Sequence, residues 1–389
     1  MNVAIISTAS GVYEDFEKEN LLGTEFQLYG LAKALAKRGL EVFILRRWKS
    51  LRFIENIAGV HIVNIQAPHL HDSILKNVAT KLVFSKIVAK HIKVLSPDII
   101  QSADAYTAYY AFITKNSLTT PKVFTFHSPF YDWTTIPVRS SISKRILWHI
   151  KRPFNLKIQK RAIEYSDAIT VPSKYYTNLL ENMKSGKPIF HIPNGVEINK
   201  LYKIKSEDHG FILYGGRLSG EKGVDILIKG FALVIKDAPY SSLRLVIAGS
   251  GPKEKYLRSL VKALGIESKV KFLPFLPHNN FLNILARCSI FVLPSFYETF
   301  GIVVLEAMAL GKPVIASNIP GPNELIQHGI NGFLFPAGDF VELAKNIKIL
   351  MNNEGLRKKI GTNAKNGTVK YDFDSIAKGY IEVYKSLIG

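Results

Sequence analysis

This sequence predicts two doubly wound α/β domains, each built on a parallel sheet, and three observations carry the prediction. Short Val/Ile-rich runs alternate with amphipathic stretches through the first half, the rhythm by which strand, crossover helix and strand make a parallel sheet. The same series starts afresh near residue 211. Finally, 389 residues with 47% hydrophobic content suffice for two ordinary domains with sizeable cores.

In the first half the strand-like runs fall at 3–7, 41–45, 60–65, 99–102 and 122–127, with a helical pattern over 26–38. The second series predicts strands at 211–214, 243–248, 270–274, 290–294 and 313–316, and helices at 225–235, 254–264 and 302–310. Between the two series Pro193-Asn194-Gly195 is a strong turn signal and 203–209 is polar, which sets the boundary within 192–205. The domains are therefore expected at 1–195 and 196–371. No internal repeat or low-complexity tract interrupts them.

Composition narrows the function classes. The single cysteine, Cys288, excludes a disulfide framework and a cysteine-built zinc site; it reads as a core residue and fits a reducing compartment. The first ten residues hold too short an apolar stretch for a secretory leader, and no apolar run approaches ~18 residues, so the chain is expected not to span a membrane. Lys and Arg number 51 against 31 Asp and Glu, a formal charge of +20. Such a charge admits three partners: nucleic acid, an anionic membrane surface, or phosphate-bearing small molecules. No helix-turn-helix, zinc-finger or RNP-type motif supports the first.

In open parallel sheets ligands bind beyond the carboxyl ends of the strands, so the loops there hold the candidates. After the strand at 211–214 comes Gly215-Gly216-Arg217-Leu218-Ser219-Gly220-Glu221-Lys222-Gly223. Paired glycines permit close backbone approach, and Arg217 and Lys222 offer a planar fork and a point charge to a multiply charged anion. Alone, such a loop is better read as a turn with solvated charges; its neighbours change that. The next strand ends in Gly249-Ser250-Gly251-Pro252, free of side chains where a base or ribose can lie.

The strand at 290–294 then runs into Ser295-Phe296-Tyr297-Glu298-Thr299-Phe300-Gly301 and a helix. A helix starting near Gly301 aims its first N–H groups at whatever precedes it, and a phosphate suits that place. Glu298 lies ahead of the helix, and Glu306 lies inside it among apolar residues. A carboxylate on a buried helix face needs a partner. Sugar hydroxyls are one candidate and a lysine in a structural salt bridge is the other.

The spacing from Glu298 to Glu306, with Gly215-Gly216-Arg217 and Glu221-Lys222-Gly223 upstream, resembles glycosyltransferase family 4. The likeness covers nearly the whole chain and is densest from Ile192 to Asp339. It includes Pro193-Asn194-Gly195-Val196, Gly311-Lys312-Pro313-Val314 and Gly329-Ile330-Asn331-Gly332. It implies the GT-B fold: two Rossmann-like domains facing a central cleft, with the last segment, 372–389, crossing back to the N-terminal domain. It also implies that Arg217 and Lys222 hold the donor diphosphate, beside Gly216 and Gly249. Glu298 would then hold the donor sugar and Glu306 the ribose, and the backbone of Phe300, Gly301, Ile302 and Val303 would donate to phosphate and sugar.

In the N-terminal half the family pairs two glycines where this chain has Leu22-Gly23, so Gly23 and Thr24 are the remaining candidates for a phosphate or acceptor loop. His127 ends a strand, where a histidine is structural or, by the resemblance, faces the reacting sugar. Asp104 is a weaker candidate in the same cleft.

The resemblance further implies a retaining transfer by front-face attack, with no covalent glycosyl-enzyme, no metal and no cofactor beyond the nucleotide-sugar co-substrate. Asp372-Phe373-Asp374 reads as a metal-binding Asp-x-Asp, but it precedes a helix predicted at 376–387, where Asp374 or Ser375 serves as N-cap. The rivals are a nucleotide-sugar epimerase or a phosphorylase on the same scaffold, and, in another class, a nucleic-acid-binding protein.

From Val138 to Arg161 stand eight basic residues and no acidic one, interleaved with Ile146, Leu147, Trp148, Ile150, Phe154, Leu156 and Ile158. Such a stretch either lies on anionic lipid or packs as a helix by its apolar side. With the aromatic loop Phe130-Tyr131-Asp132-Trp133 before it, it predicts peripheral contact with an anionic membrane, a lipid-linked or glycan acceptor, and a cytoplasmic enzyme at the inner membrane face.

Overall fold

The computed structural model describes residues 1–7, 23–48, 55–66, 74–112, 119–127, 142–237 and 240–389. In the first half it has strands β1 (Asn2–Ser7), β2 (Glu41–Trp48), β3 (Glu55–Ile57), β4 (Val60–Gln66), β5 (Ile99–Ser102), β6 (Lys122–Thr125), β7 (Ala168–Val171) and β8 (Ile189–His191). They form one sheet in the order β3-β4-β2-β1-β5-β6-β7-β8, parallel except where β3 runs against β4. In the second half β9 (Phe211–Gly215), β10 (Arg244–Ala248), β11 (Val270–Leu273), β12 (Ile290–Leu293), β13 (Val314–Ser317) and β14 (Phe333–Phe335) form an all-parallel sheet. Its order is β11-β10-β9-β12-β13-β14.

The predicted pair of doubly wound sheets is therefore present. Strands β5, β6, β7, β12 and β13 are buried at every position, because helices cover both faces; β12 is an unbroken apolar run, whereas the other four also bury the polar residues Gln101, Ser102, Lys122, Thr125, Thr170 and Ser317. Strand order reverses between β1 and β5 and between β9 and β12. At such switch points adjacent loops splay apart and leave a crevice.

The helix Phe373–Ile388 starts three residues before the predicted 376. Its cap is Asp372, not Asp374 or Ser375: the Asp372 carboxylate accepts from Asp374 N at 2.9 Å and from Ile198 N at 3.2 Å. Asp374 instead pairs with Arg38 at 2.6 Å. The helix packs on the helix Gly23–Lys37 and buries Phe373, Ile376, Tyr380 and Tyr384 in the core of the first sheet. Phe373 is admitted by two glycines: a Cβ on Gly30 would fall 2.2 Å from its ring, and one on Gly195 would fall 2.6 Å away.

Cys288 is fully buried, its Sγ–H donates to Leu285 O at 3.2 Å, and burial pushes the thiol up to about 12. The basic run lies on the helix Ile142–Tyr165. The aromatic loop 130–133, and 138–141 with Arg139, lie outside the described residues. From Arg152 onward Ile158, Ala162 and Ile163 are buried in the first sheet's core, whereas Arg152, Phe154, Lys157, Lys160 and Arg161 are exposed. Arg161 pairs with Glu164 at 3.2 Å. Among the described residues no helix is long and apolar enough to cross a membrane.

Candidate active site

The two glycine-rich turns of the second sheet are in contact, which explains their composition. Gly216 follows β9 at φ 153° and Gly249 follows β10 at φ 142°. A Cβ on Gly249 would stand 1.9 Å from Gly216 O, so any side chain there would push the two turns apart. The loops are zipped further by Leu218 N donating to Ser250 O at 2.9 Å and Lys253 N to Leu218 O at 2.9 Å. Arg217 is left exposed at the rim, its carbonyl accepting from Tyr214 OH at 2.9 Å.

The neighbouring pair of loops, after β9 and β12, is equally close. Gly223 at φ 60° leaves no room for a Cβ, which would fall 2.1 Å from Pro294 O, and Phe296 N donates to Glu221 O at 2.8 Å. This packing brings Lys222 Nζ to 2.6 Å from Glu298 Oε1, and Ser295 Oγ donates to the same oxygen at 2.9 Å. Both ionic side chains are mostly buried. The two charged residues that the sequence assigned to diphosphate and sugar are thus brought together.

Phe300 is buried, and Gly301 at φ 95° turns the chain into the helix Ile302–Ala309. Val304 N and Leu305 N both turn back to Gly301 O, while Ile302 and Val303 occupy the first turn, where N–H groups have no acceptor within the helix. Across from them starts the helix Gly23–Lys37 of the first sheet: a Cβ on Gly23 would stand 3.5 Å from Ile302 Cδ1. Gly23 and Thr24 therefore begin a second helix N-terminus beside the first, so two partial positive ends meet at one place. Leu22 lies outside the described residues.

Glu306 has a buried side chain, and its protein partner is a histidine, not the lysine foreseen. His278 Nε2 donates to Glu306 Oε1 at 2.7 Å. Burial works against a charge on His278, yet the hydrogen bond and the charge of Glu306 outweigh it and raise the imidazole above its ordinary range.

His127 follows β6, its ring partly exposed but its Nε2 buried without a hydrogen-bond partner among the described residues. Burial lowers its pKa to about 4, so the imidazole is neutral at pH 7. Asp104 lies in the short stretch after β5. Its carboxylate caps the helix Ala105–Phe112, accepting from Tyr106 N at 3.0 Å, from Thr107 N at 3.2 Å and from the Thr107 hydroxyl.

Sequence reasoning also missed the residues that bridge the two sheets. Tyr176 and Tyr297 share a hydroxyl hydrogen bond of 2.9 Å, one residue from Glu298. Glu324 accepts from Lys174 N at 2.9 Å and Tyr175 N at 3.2 Å, capping the helix Lys174–Asn182 of the first domain. Within the first half, Gln27 exchanges two bonds with the Gly195 backbone, at 2.7 and 2.8 Å, and so fixes the start of the connection to the second. No spacing rule marks such contacts, although His278, in the stretch just after β11, satisfies the strand-end criterion used for the others.

Both halves of the chain resemble known proteins. Residues 22–200 match the family model described as Glycosyltransferase Family 4, and residues 197–367 match that of Glycosyl transferases group 1. An uncharacterised glycosyltransferase of Methanocaldococcus jannaschii is 31% identical over 306 residues, 75% of this chain and 79% of the relative. The sucrose-phosphate synthase of Thermosynechococcus elongatus superposes with a TM-score of 0.82 at 21% identity, covering 99% of this chain and 98% of that one. Anabaena HepE, solved in complex with UDP and glucose, gives 0.74 at 22% identity over 99% and 100%. With its two parallel-sheet domains in the GT-B arrangement and the Glu298–Glu306 loop and helix at the switch point of the second, this chain belongs to glycosyltransferase family 4.

Proposed function

We propose that this glycosyltransferase moves a hexose, with retention of anomeric configuration, from a nucleoside-diphosphate sugar to an acceptor hydroxyl. The observation that carries the reading is the Lys222–Glu298 pair. A cation suited to a diphosphate and a carboxylate suited to sugar hydroxyls hold each other at the ends of adjacent strands, where the two halves of a donor would meet. HepE, of the same fold, was solved with UDP-glucose, which favours a donor of this chemical class.

In the proposed reaction the diphosphate takes Lys222 and Arg217, and Glu298 turns to the hydroxyls of the sugar. The first-turn N–H groups at Ile302 and Val303 face the distal phosphate, with the Gly23 helix terminus beside them. The acceptor oxygen attacks the anomeric carbon from the side on which the diphosphate leaves. As the new C–O bond forms the old one breaks, and the departing phosphate takes the acceptor's proton. His127, neutral, lies along the sugar rather than acting as the base. Fixed positive charge on the leaving group contributes about 10²–10³ in rate per donor, and positioning supplies much of the rest. Arg217, Lys222 and two helix termini balance the diphosphate without a metal ion.

The first domain would choose the acceptor, a glycan or a lipid-linked sugar. Its helix Ile142–Tyr165, with exposed Phe154 among Arg152, Lys157, Lys160 and Arg161, would rest on an anionic membrane surface. The test is a panel of UDP-, GDP- and ADP-sugars, with mass spectrometry of slow donor hydrolysis and NMR of the product anomer. Nucleoside diphosphate released with an axial-to-axial outcome supports the reading. An isomerised sugar still joined to nucleotide indicates an epimerase, and no turnover of any donor defeats the proposal.

A further inference from the structure

Glu306 lies on a helix that is otherwise apolar, and a carboxylate there is costly unless it is neutralised and hydrogen-bonded. His278 meets both needs at 2.7 Å. A lysine would supply the same charge on a flexible stem, whereas an imidazole is planar and its Nε2–H points in one direction. The ring's freedom is removed from the other side by Phe26, whose ring meets it edge-on with centroids 5.0 Å apart. Phe26 belongs to the helix Gly23–Lys37 of the other sheet and leans in turn on Phe373, 5.6 Å away. The other charged groups that act on His278 are Lys200 and Glu197, of opposite sign. An imidazole clamped in this way sets the plane of the carboxylate it binds.

Resting on the donor reading above, we propose that His278 is the positioning residue for the nucleotide's ribose. Its Nε2–H holds Glu306 Oε1, and the carboxylate's remaining lone pairs are thereby presented to the 2′- and 3′-hydroxyls. His278 touches no substrate atom in this scheme; it acts through Glu306. A single oriented acceptor discriminates ribose from deoxyribose, because removing the 2′-hydroxyl leaves a buried lone pair unmatched. Phe26 makes that discrimination depend on contact between the two domains.

The test is calorimetric binding of UDP, GDP and ADP, followed by the 2′-deoxy form of whichever binds most tightly. Wild type is expected to prefer the ribonucleotide at least tenfold. In His278→Leu the preference falls to within about threefold, whereas His278→Gln, whose amide reaches Oε1, keeps most of it. A merely structural histidine would weaken ribo- and deoxynucleotide by the same factor, so an unchanged preference in His278→Leu overturns the proposal. Should the leucine variant fail to fold, His278→Asn, too short to reach Oε1, takes its place; equal preference in the Asn and Gln variants overturns the proposal equally. Failure of wild type to bind any of the three ribonucleotides would defeat the donor reading itself, and this inference with it.

Discussion

Lys222 and Glu298, 76 residues apart in sequence, are joined at 2.6 Å, and Ser295 Oγ holds the same carboxylate oxygen at 2.9 Å. The serine keeps Glu298 in place when the lysine is removed. Lys222→Ala and Glu298→Ala are therefore expected to fold and to lose at least about 100-fold in kcat/KM. Both side chains are mostly buried, and removing one leaves the charge of the other unpaired, so thermal midpoints should fall by several degrees without loss of the fold. Nucleoside diphosphate release beside thermal unfolding checks both halves, and near-normal activity in both variants defeats the assignment.

Gly249 has φ 142°, and a Cβ there would lie 1.9 Å from Gly216 O. Gly249→Ala must strain its own backbone and displace the neighbouring turn, a cost of about 1–3 kcal/mol. Thermal unfolding should report the loss. Donor affinity should fall with it because Arg217 rides on the displaced turn; wild-type stability and affinity together would contradict the packing described for these loops.

Burial holds His127 near pKa 4, below the 6.5 of an unfolded histidine. The folded form therefore resists protonation that the unfolded chain accepts. The associated stability is fully present above pH 6.5 and is lost as pH falls towards 4, by up to about 3 kcal/mol. Across that range wild type should lose unfolding free energy relative to His127→Gln as the pH drops. A constant difference would mean that the imidazole is not the group responsible.

Replacing Arg152, Lys157, Lys160 and Arg161 by Gln removes four positive charges from one helix. Each basic residue near an anionic bilayer contributes about 1 kcal/mol, so sedimentation with phosphatidylserine vesicles should fall at least tenfold, while neutral vesicles show no change. Undiminished binding to the anionic vesicles would end the membrane-docking proposal.

The βαβ rhythm and the chemistry at the strand ends were legible because both are local. Four apolar residues in a row announce β12, and a helix start after Gly301 announces an anion site. Strands β3, β8 and β14 were not legible, since three residues carry no periodicity, and β7, Ala-Ile-Thr-Val, was missed as well. The partner of Glu306 escaped for another reason. Its burial demanded a counter-group, but only the fold brings residue 278 to residue 306, and the foreseen lysine was the wrong choice of cation. Asp104 shows a different ambiguity: a strand-end carboxylate at the right place for a site is also at the right place to cap the next helix, as it does here. Tertiary bridges such as Tyr176–Tyr297 leave no mark in a single sequence at all.

The helix Phe373–Ile388 also sets an order of events during synthesis. The first sheet emerges from the ribosome long before the residues that complete its core, because Phe373, Ile376, Tyr380 and Tyr384 are translated after both sheets. Until then the helix Gly23–Lys37 keeps an uncovered apolar face, with Gly30 lining an empty seat for Phe373. A nascent chain stalled before residue 372 would therefore be a client for chaperones rather than a finished N-terminal domain.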